Sequence, residues 1–302
     1  MSFEFSIHPR GPFSLEAAAT FGFGPNEGRA AAWQGSMSLA FPVDSGGSAG
    51  VLLTADGDGV IRGAGDGSAD PGAVERQVAR ILSLDHDAEE WMRVGLREPI
   101  LGSLQAAHPG QRPVLFNSPY EACAWSVISA RRHGRQGAAL RREIADRWGE
   151  SFELAGQRVA AFPAPERLLE LRPLGGLPER KVTQLQAIAR AALEGRLDAD
   201  RLLRLGPDGA LAEVRSLNGI GPFYGGLVVL RGTGFADAVF DVPEPRVLGR
   251  VAEFYGLEAP PTLAQFLAMA ERWRPFRTWA TVLLRLAGDR GDGAAWPRAA
   301  PE

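Results

Sequence analysis

Two glycines and a proline interrupt the helical pattern between Ser216 and Arg231, and this spacing restricts the backbone more than any other feature of the chain. Gly219 and Gly221 allow a tight turn from which no side chain projects. Pro222 suits the first position of the next helix, where its missing N–H is not needed. Because N–H groups at a helix start carry partial positive charge, the segment predicts a helix-hairpin-helix that can receive a phosphate.

A glycine pair between helices is also compatible with an ordinary helix–helix turn that binds nothing. The phosphate-binding interpretation is favoured by two motifs that follow the hairpin in order and at similar spacing. The three segments are Leu217-Asn218-Gly219-Ile220-Gly221-Pro222-Phe223, Leu230-Arg231-Gly232 and Trp273-Arg274-Pro275-Phe276-Arg277. On these motifs the chain resembles the DNA-3-methyladenine glycosylase II type of the HhH-GPD base-excision repair superfamily. The resemblance extends upstream to about Asn117 and is weak before Ala73.

The resemblance implies an α+β protein, with a mainly α-helical HhH-GPD glycosylase fold and a small N-terminal antiparallel β domain. We expect the β-rich domain at residues 1–72 and the helical domain at 73–290, with two helical subdomains and a cleft between them. Residues 291–302 are expected to be a disordered tail. The glycine-rich stretch 63–71 is interpreted as the linker.

Apolar periodicity predicts the elements of each part. Alternation predicts strands at 3–7, within 36–43, at 50–54 and at 59–62, and beyond residue 110 almost no strand signal remains. The Asp56/Asp58 pair is compatible with a calcium ligand set, but a hairpin turn is favoured. Ser118 and Glu121 predict a capping box at one helix start. Helices are predicted at 73–84, 119–132, 135–148, 165–171, 178–194, 200–205, 210–216, 222–230, 245–255, 263–273 and 276–286.

Composition limits the class of protein. A chain of 302 residues with 45% hydrophobic and 23% charged residues is globular. No apolar run is long enough to cross a bilayer and no signal-peptide pattern is found, so we expect a cytoplasmic, nucleoid-associated protein. One cysteine, Cys123, excludes an internal disulfide and the four-cysteine iron–sulfur loop of some superfamily members. Since no nucleotide-binding or H-E-x-x-H motif is found, we expect no cofactor and no metal.

The net charge of −3 is unevenly distributed. Residues 1–90 carry 13 acidic and 5 basic side chains, whereas residues 91–302 carry 23 acidic and 28 basic ones. A mildly basic helical part is compatible with DNA binding, although an ordinary mixed surface gives the same balance. All but one of the cationic side chains are arginines, and Lys181 is the single lysine.

Cleavage of a base from its sugar passes through an oxocarbenium-like transition state, which a carboxylate stabilises. Two candidates follow the hairpin. Asp241 opens a D-x-x-x-x-R-V spacing that resembles the aspartate motif of the superfamily. Glu244 stands directly before Pro245 at a helix start, where the glycosylase II branch places its aspartate, counted back from Tyr255-Gly256. The two registers stay open here, and both residues are also compatible with solvated loop or capping acids.

The resemblance assigns DNA contacts to two places. At the hairpin, the contact residues are Leu217, Gly219, Ile220 and Gly221. The second place is the end of the helix predicted from residue 119, where relatives carry a glutamine and a bulky wedge residue. Here those positions hold Arg131 and Arg132, followed by His133. Arginine can enter a base stack or bind phosphate, but an Arg-Arg pair at a helix end also simply complements the helix dipole.

A flipped base is gripped between aromatic faces, most strongly when alkylation makes it cationic. Phe223 matches an aromatic position of the family pocket, and Tyr224 and Trp279 are further candidates, although each is also compatible with a core position. Leu227 and Arg285 occupy positions where relatives often have aromatics, which weakens the case for a cationic purine.

The resemblance implies a monofunctional DNA glycosylase that hydrolyses the N-glycosidic bond of damaged, alkylated purines in double-stranded DNA. Lyase relatives carry a lysine two residues after the second hairpin glycine, and this chain has Phe223 there. We expect a monomer that binds damaged duplex DNA and no membrane. The alternatives are a non-catalytic DNA-binding protein that retains the glycosylase fold and an unrelated soluble helical protein.

Overall fold

The computed structural model describes residues 1–22, 33–240 and 243–291. An antiparallel sheet of four strands stands at the N-terminus and a mostly helical part follows it, which confirms the predicted fold class. Of the helices in these ranges, none combines the length and apolar character that a membrane crossing requires. Of the predicted tail 291–302, residues 292–302 lie outside the described residues.

The strands are β1 (Ser2–Ile7), β2 (Ser36–Pro42), β3 (Ser48–Ala55), β4 (Ile61–Gly67), β5 (Ser151–Leu154) and β6 (Gln157–Ala160). The first helices are α1 (Leu15–Ala19), α2 (Pro71–Ile81), α3 (Ala88–Arg97), α4 (Pro99–Ala107), α5 (Pro119–Ser129), α6 (Gly134–Trp148) and α7 (Pro165–Leu168). They are followed by α8 (Glu179–Leu193), α9 (Ala199–Arg215), α10 (Pro222–Val228), α11 (Pro245–Tyr255), α12 (Leu263–Ala270) and α13 (Arg277–Asp289). A π-helical segment, Val229–Thr233, continues α10, and a 3-10 turn, Glu271–Trp273, continues α12.

The N-terminal sheet has the strand order β1-β4-β3-β2. Its fourth strand corrects the prediction of a linker at 63–71, because β4 pairs with both β1 and β3 through Gly67. The glycines of β4 are needed for packing. A Cβ atom at Gly63 would lie 2.2 Å from the ring of Phe5, and one at Gly65 would lie 2.9 Å from the ring of Phe3. Close ring packing, and not chain flexibility, explains the glycine content of this stretch.

A second correction concerns the helical part, where no strand was predicted beyond residue 110. The short hairpin of β5 and β6 packs on the first sheet, and a Cβ at Gly50 of β3 would lie 2.3 Å from the ring of Phe152. Strands of four residues carry too little alternation to be recognised from sequence. The Asp56 turn is confirmed, since its carboxylate accepts from the N–H groups of Asp58 and Val60.

The helical residues form two main apolar cores. One is built by α5, α8, α9 and α10, and the other by α3, α4, α11, α12 and α13. In the first core Ser118 caps α5 as predicted, by accepting from the N–H of Glu121 at 3.0 Å. The predicted capping box is wrong, because the buried Glu121 carboxylate instead binds Asn117 and Arg141. α9 contains a kink at Gly206, which agrees with the two short helices predicted there.

Arg80 of α2 joins the sheet to the helical part. Its guanidinium, 8% exposed, donates to the carbonyl of Gly232 at 2.9 Å and to that of Asn117 at 3.2 Å. It also binds the Asp44 carboxylate at 2.6 Å. Burial raises the pKa of Asp44 to about 6, and Arg80 opposes that rise. The Leu230-Arg231-Gly232 motif after the hairpin helix is therefore fixed to the first sheet through one cation.

We expect Arg80→Met to lower the free energy of unfolding by about 3 kcal/mol at pH 7.5, because it removes charged hydrogen bonds and leaves Asp44 unpaired. Loss of Arg80 raises the pKa of Asp44 beyond about 6, so at pH 5 the carboxyl is neutral and the destabilisation should be smaller. Urea unfolding followed by circular dichroism measures both values. The exposed Arg76→Met variant of the same helix is the control, and an equal loss for the two variants would contradict the prediction.

Candidate nucleic-acid interface and active site

The predicted hairpin connects α9 to α10 through residues 216–221. Leu217 and Ile220 are buried, 7% and 6% exposed, in the core of α5, α8 and α9. Gly219 and Gly221 are exposed between and beside them. The N–H of Ile220 donates to the carbonyl of Leu217 at 3.2 Å, so this residue fixes the hairpin by packing and does not offer its N–H to a ligand.

The two exposed glycines have different structural roles. Gly219 has a φ of +97°, and a Cβ there would lie 2.7 Å from the side-chain amide of Gln184 on α8. Gly221 has a φ of −84° and caps α10, and a Cβ there would meet no atom within 4 Å. Within the described ranges their N–H groups donate to no acceptor. Open space in front of unbonded N–H groups at a helix start is the geometry that a phosphate oxygen requires.

α5 ends at Ser129, three residues before the predicted end, because its last carbonyls bind side-chain cations. Lys181 of α8 donates to the carbonyls of Val127 at 2.7 Å and Ala130 at 2.9 Å, with that of Ile128 at 3.4 Å. A cation at the C-terminal end of a helix also complements the helix dipole. The residues after α5 therefore form a tight turn and not a further helical turn.

That turn separates the three residues predicted to contact DNA. Arg131 is exposed and has a φ of +59°. Arg132 is half-buried and donates to the carbonyls of Ile128, at 2.7 Å, and Gly176. His133 is the N-cap of α6, and its N–H lies 3.4 Å from the side-chain oxygen of Gln136. Of the arginine pair, Arg131 is at the tip of the turn and Arg132 is bound to the protein.

Aromatic side chains connect the hairpin helix to this turn. Phe223 is 39% exposed and packs edge-to-face on Tyr224, with ring centroids 5.3 Å apart. The Tyr224 hydroxyl lies 3.4 Å from the hydroxyl of Ser129, the last residue of α5. Leu227 is half-buried against the same core. The structure thus brings Phe223, Tyr224 and Leu227 together beside the end of α5.

Trp279 does not join this group. It is 2% exposed and packs edge-to-face on Trp91 and Phe276, with ring centroids 5.8 Å and 5.0 Å away. Its face of α13 is covered by α3 and α4, so the structure places Trp279 in the second core and not with the aromatic residues beside the hairpin. Arg285, further along α13, is 20% exposed and binds Glu244 and Asp289.

Of the two candidate carboxylates, the structure describes only Glu244. Asp241 lies outside the described residues. Glu244 is the N-cap of α11, but its side chain does not cap the helix and lies 3.3 Å from the guanidinium of Arg285, with Arg246 at 4.0 Å. Burial lowers the pKa of Arg231 to about 9, and the charge of Glu244 opposes that fall. The charge of Glu244 is therefore shared among guanidinium groups.

Asp237 is a residue that sequence reasoning missed. Its carboxylate binds Arg277 at 2.7 Å and Arg274 at 2.9 Å, and it also accepts from the N–H of Arg277 at 3.1 Å. Those arginines belong to the Trp273–Arg277 motif, so that motif fixes the chain just ahead of the candidate carboxylates. The signal that could have identified Asp237 is its place in the sequence, as an acidic residue between the hairpin helix and α11. Among the described residues, no cluster of His, Cys, Asp and Glu is placed to hold a metal ion.

No family model matches the chain. Sequence relatives and solved structures of similar fold are found among DNA glycosylases. A DNA-3-methyladenine glycosylase of Bacillus subtilis is 22% identical over 67% of this chain and 68% of its own length. DNA-3-methyladenine glycosylase 2 of Escherichia coli is 29% identical over 60% of this chain and 61% of its own length. The alignment thus spans about three fifths of that relative.

Solved structures match over nearly the whole chain. A 3-methyladenine DNA glycosylase of Archaeoglobus fulgidus superimposes with a TM-score of 0.76 at 22% identity, over 95% of this chain and 98% of that one. An 8-oxoguanine glycosylase/lyase of Clostridium acetobutylicum bound to duplex DNA gives 0.64 at 14% identity, over 97% and 98%. By its relatives and its fold together, the chain is a homologue of the DNA-3-methyladenine glycosylases with the fold of the HhH-GPD superfamily.

Proposed function

We propose that this protein is a DNA glycosylase for alkylated bases, and more narrowly a monofunctional one that hydrolyses the N-glycosidic bond of damaged purines in duplex DNA. The observation that carries the proposal is the hairpin, where the N–H groups of two exposed glycines lie near an exposed Phe223, a half-buried Tyr224 and the turn that carries Arg131. The sequence relatives named DNA-3-methyladenine glycosylase support the substrate class. A monomer in the cytoplasm, associated with the nucleoid, is part of the same proposal.

Each part of the interface has a physical task. Gly219 and Gly221 bind a backbone phosphate without reading sequence. Arg131 at the tip of its turn enters the space that the rotated nucleotide leaves, and Arg132 holds that turn to the protein. Phe223 and Tyr224 contact the extruded base. Arg285, paired with Glu244, lies where relatives often have an aromatic, so the pocket depends less on stacking a cationic base.

Asp241 is the carboxylate that we assign to catalysis. Glu244 has its charge paired with Arg285, and a carboxylate already neutralised by a guanidinium stabilises a developing sugar cation less. In hydrolysis the departing base takes the electrons of the glycosidic bond. Water then supplies the oxygen bound to the sugar carbon and gives up a proton. Asp241 stabilises the cation and orients the water.

We expect no strand cleavage because the chain offers no free lysine amine at the position that lyases use. A lyase forms a Schiff base through a free amine, and the single lysine, Lys181, has its Nζ within hydrogen-bond reach of three carbonyl oxygens. The position that carries the lysine in lyase relatives holds Phe223. Both observations favour hydrolysis without a covalent intermediate.

A second candidate function is DNA binding without catalysis. The arginines at 131 and 132, where relatives have a glutamine and a bulky residue, favour it. The flexible pair Gly225-Gly226 in the hairpin helix also favours it. Gly225 has a packing reason of its own, since a Cβ there would lie 2.8 Å from the Arg215 side chain, whereas a Cβ at Gly226 would make only an ordinary contact, 3.4 Å from the ring of Phe240.

The phosphate contact is tested by Gly221→Asp against Gly221→Asn. Both side chains fit the open space and can cap α10, so only the charge differs. We expect the aspartate variant to bind duplex DNA at least about tenfold more weakly than the asparagine variant, whatever the lesion or sequence, because like charges repel at contact distance. Fluorescence anisotropy measures the affinities. Equal affinity of the two folded variants would rule out the hairpin as a phosphate site.

The catalytic assignment is tested by Asp241→Asn with Glu244→Gln as the comparison. We expect Asp241→Asn to slow base release from alkylated duplex DNA about a hundredfold, a loss of about 3 kcal/mol, with DNA affinity unchanged within a few fold or increased. Glu244→Gln should slow release less than about tenfold, because its carboxylate acts through Arg285. The reverse order would assign the reaction to Glu244. If the wild-type protein binds DNA but releases no base from any alkylated or deaminated duplex, the binding-protein alternative replaces the enzyme.

Absence of lyase chemistry is tested by borohydride reduction during reaction with damaged DNA. We expect no trapped complex with the wild-type protein, because its lysine amine is bound to carbonyls. A Phe223→Lys variant, which places an amine where lyase relatives carry theirs, is the positive control for trapping. A wild-type complex that disappears in Lys181→Arg would show that this lysine does attack the sugar.

A further inference from the structure

Lys181 and Gln184 occupy the same face of α8, three residues apart, and each contacts a different part of the interface. The Lys181 ammonium binds the carbonyls of Val127 and Ala130 at the end of α5, directly before the turn that carries Arg131. The Gln184 side chain packs against Gly219 of the hairpin. One short stretch of α8 thus contacts both parts of the chain to which DNA contacts are assigned.

We propose that Lys181 is a positioning residue for DNA recognition, which holds the Arg131 turn in the place set by the hairpin. The proposal rests on the proposed function, since it concerns how the turn meets DNA. Lys181 does not itself touch the reacting atoms. Its three N–H donors match the carbonyls of Val127, Ile128 and Ala130, and the backbone reverses at the next residue, where Arg131 adopts a positive φ.

An ammonium suits this task because, among the described residues, no other side chain donates to the carbonyls of Val127 and Ala130. Arg132 binds only one of them, that of Ile128. Without Lys181, the carbonyls of Val127 and Ala130 lose their side-chain donor, and the turn is free to refold toward a further turn of helix. Arg131 would then leave the tip. Because the contact joins residues 54 positions apart, it positions the turn relative to α8 and not only relative to its own helix.

The pKa of Lys181 gives a signature that a purely structural contact would lack. Burial, together with Arg132, Arg180 and Arg131, lowers this pKa to about 8. Below pH 8 the ammonium has three donors, and the neutral amine above pH 8 still has two. Because the ordered turn lowers this pKa, opening of the turn takes up a proton, and order in the turn should increase as pH rises through about 8. An arginine at the same position stays charged. His133 also belongs to this turn, so the measurement compares wild type with Lys181→Arg at each pH.

The experiment uses the full chain with three variants: Lys181→Met, Lys181→Arg and, as a matched loss of one charge, the exposed Arg180→Met. Amide hydrogen exchange at residues 130–134 is measured without DNA. We expect exchange to accelerate at least about tenfold in Lys181→Met and to stay near wild type in the other two. As pH rises through about 8, exchange in the wild type should slow relative to Lys181→Arg. Unchanged protection in Lys181→Met would overturn the proposal.

DNA binding supplies the second readout. With a duplex that contains a tetrahydrofuran abasic site, Lys181→Met should bind about tenfold more weakly, but with an intact duplex within about threefold of wild type. Lys181→Arg should bind both duplexes with the affinity of the wild type. Equal losses on both duplexes, matched by Arg180→Met, would show that Lys181 contributes only charge. If Lys181→Met does not fold, Lys181→Gln takes its place in both measurements, and unchanged protection of residues 130–134 in that variant would overturn the proposal. Neither readout requires base release, so failure of the proposed enzyme activity is distinguishable from failure of this proposal.

Discussion

The structure depends on cationic side chains that bind backbone carbonyls where segments of the chain meet. Arg112 is the clearest case, with a side chain that is 2% exposed and a guanidinium that joins the N-terminal segment to the loop between α2 and α3. Burial lowers its pKa to about 10, so it stays charged at neutral pH. A buried guanidinium is tolerated only when its donors are satisfied, and here backbone oxygens satisfy them. The acceptors are the carbonyls of Arg10, Gly11, Pro12, Ser83 and His86.

The same solution recurs at each junction that positions the site. Arg80 binds the carbonyl of Gly232 at the end of the hairpin helix, and Arg231 binds that of Val114 while its guanidinium lies over the Phe21 ring. Lys181 and Arg132 bind the end of α5. Since carbonyl oxygens exert directional attraction at short range, each cation fixes a backbone position that apolar packing alone leaves adjustable. The arginine-rich composition therefore has structural uses besides any attraction to DNA.

Local features were predictable and long-range contacts were not. The hairpin, the N-terminal strands and the start of α5 follow from residues that lie close together in sequence. Lys181 and Asp237 could not be assigned, because their partners lie 54 and 40 residues away. Trp279 shows the opposite error. As an aromatic residue it was a candidate for the base pocket, but Trp91, which packs on it, comes from α3, and no pattern in α13 reveals that contact. β4 was mistaken for a linker because ring packing over glycine leaves no apolar signal.

The described residues on either side of Asp241 make two contacts with one helix. Asp237 is bound by Arg277 at the first residue of α13, and Glu244 is bound by Arg285 two turns further along the same helix. The chain on both sides of residues 241–242 is therefore attached to α13. A Glu244 whose role is to hold this connection needs its charge paired, whereas a carboxylate that stabilises a sugar cation needs its charge unpaired until the transition state. This difference in electrostatic requirement, more than the length of the side chain, separates a structural role for Glu244 from a catalytic one.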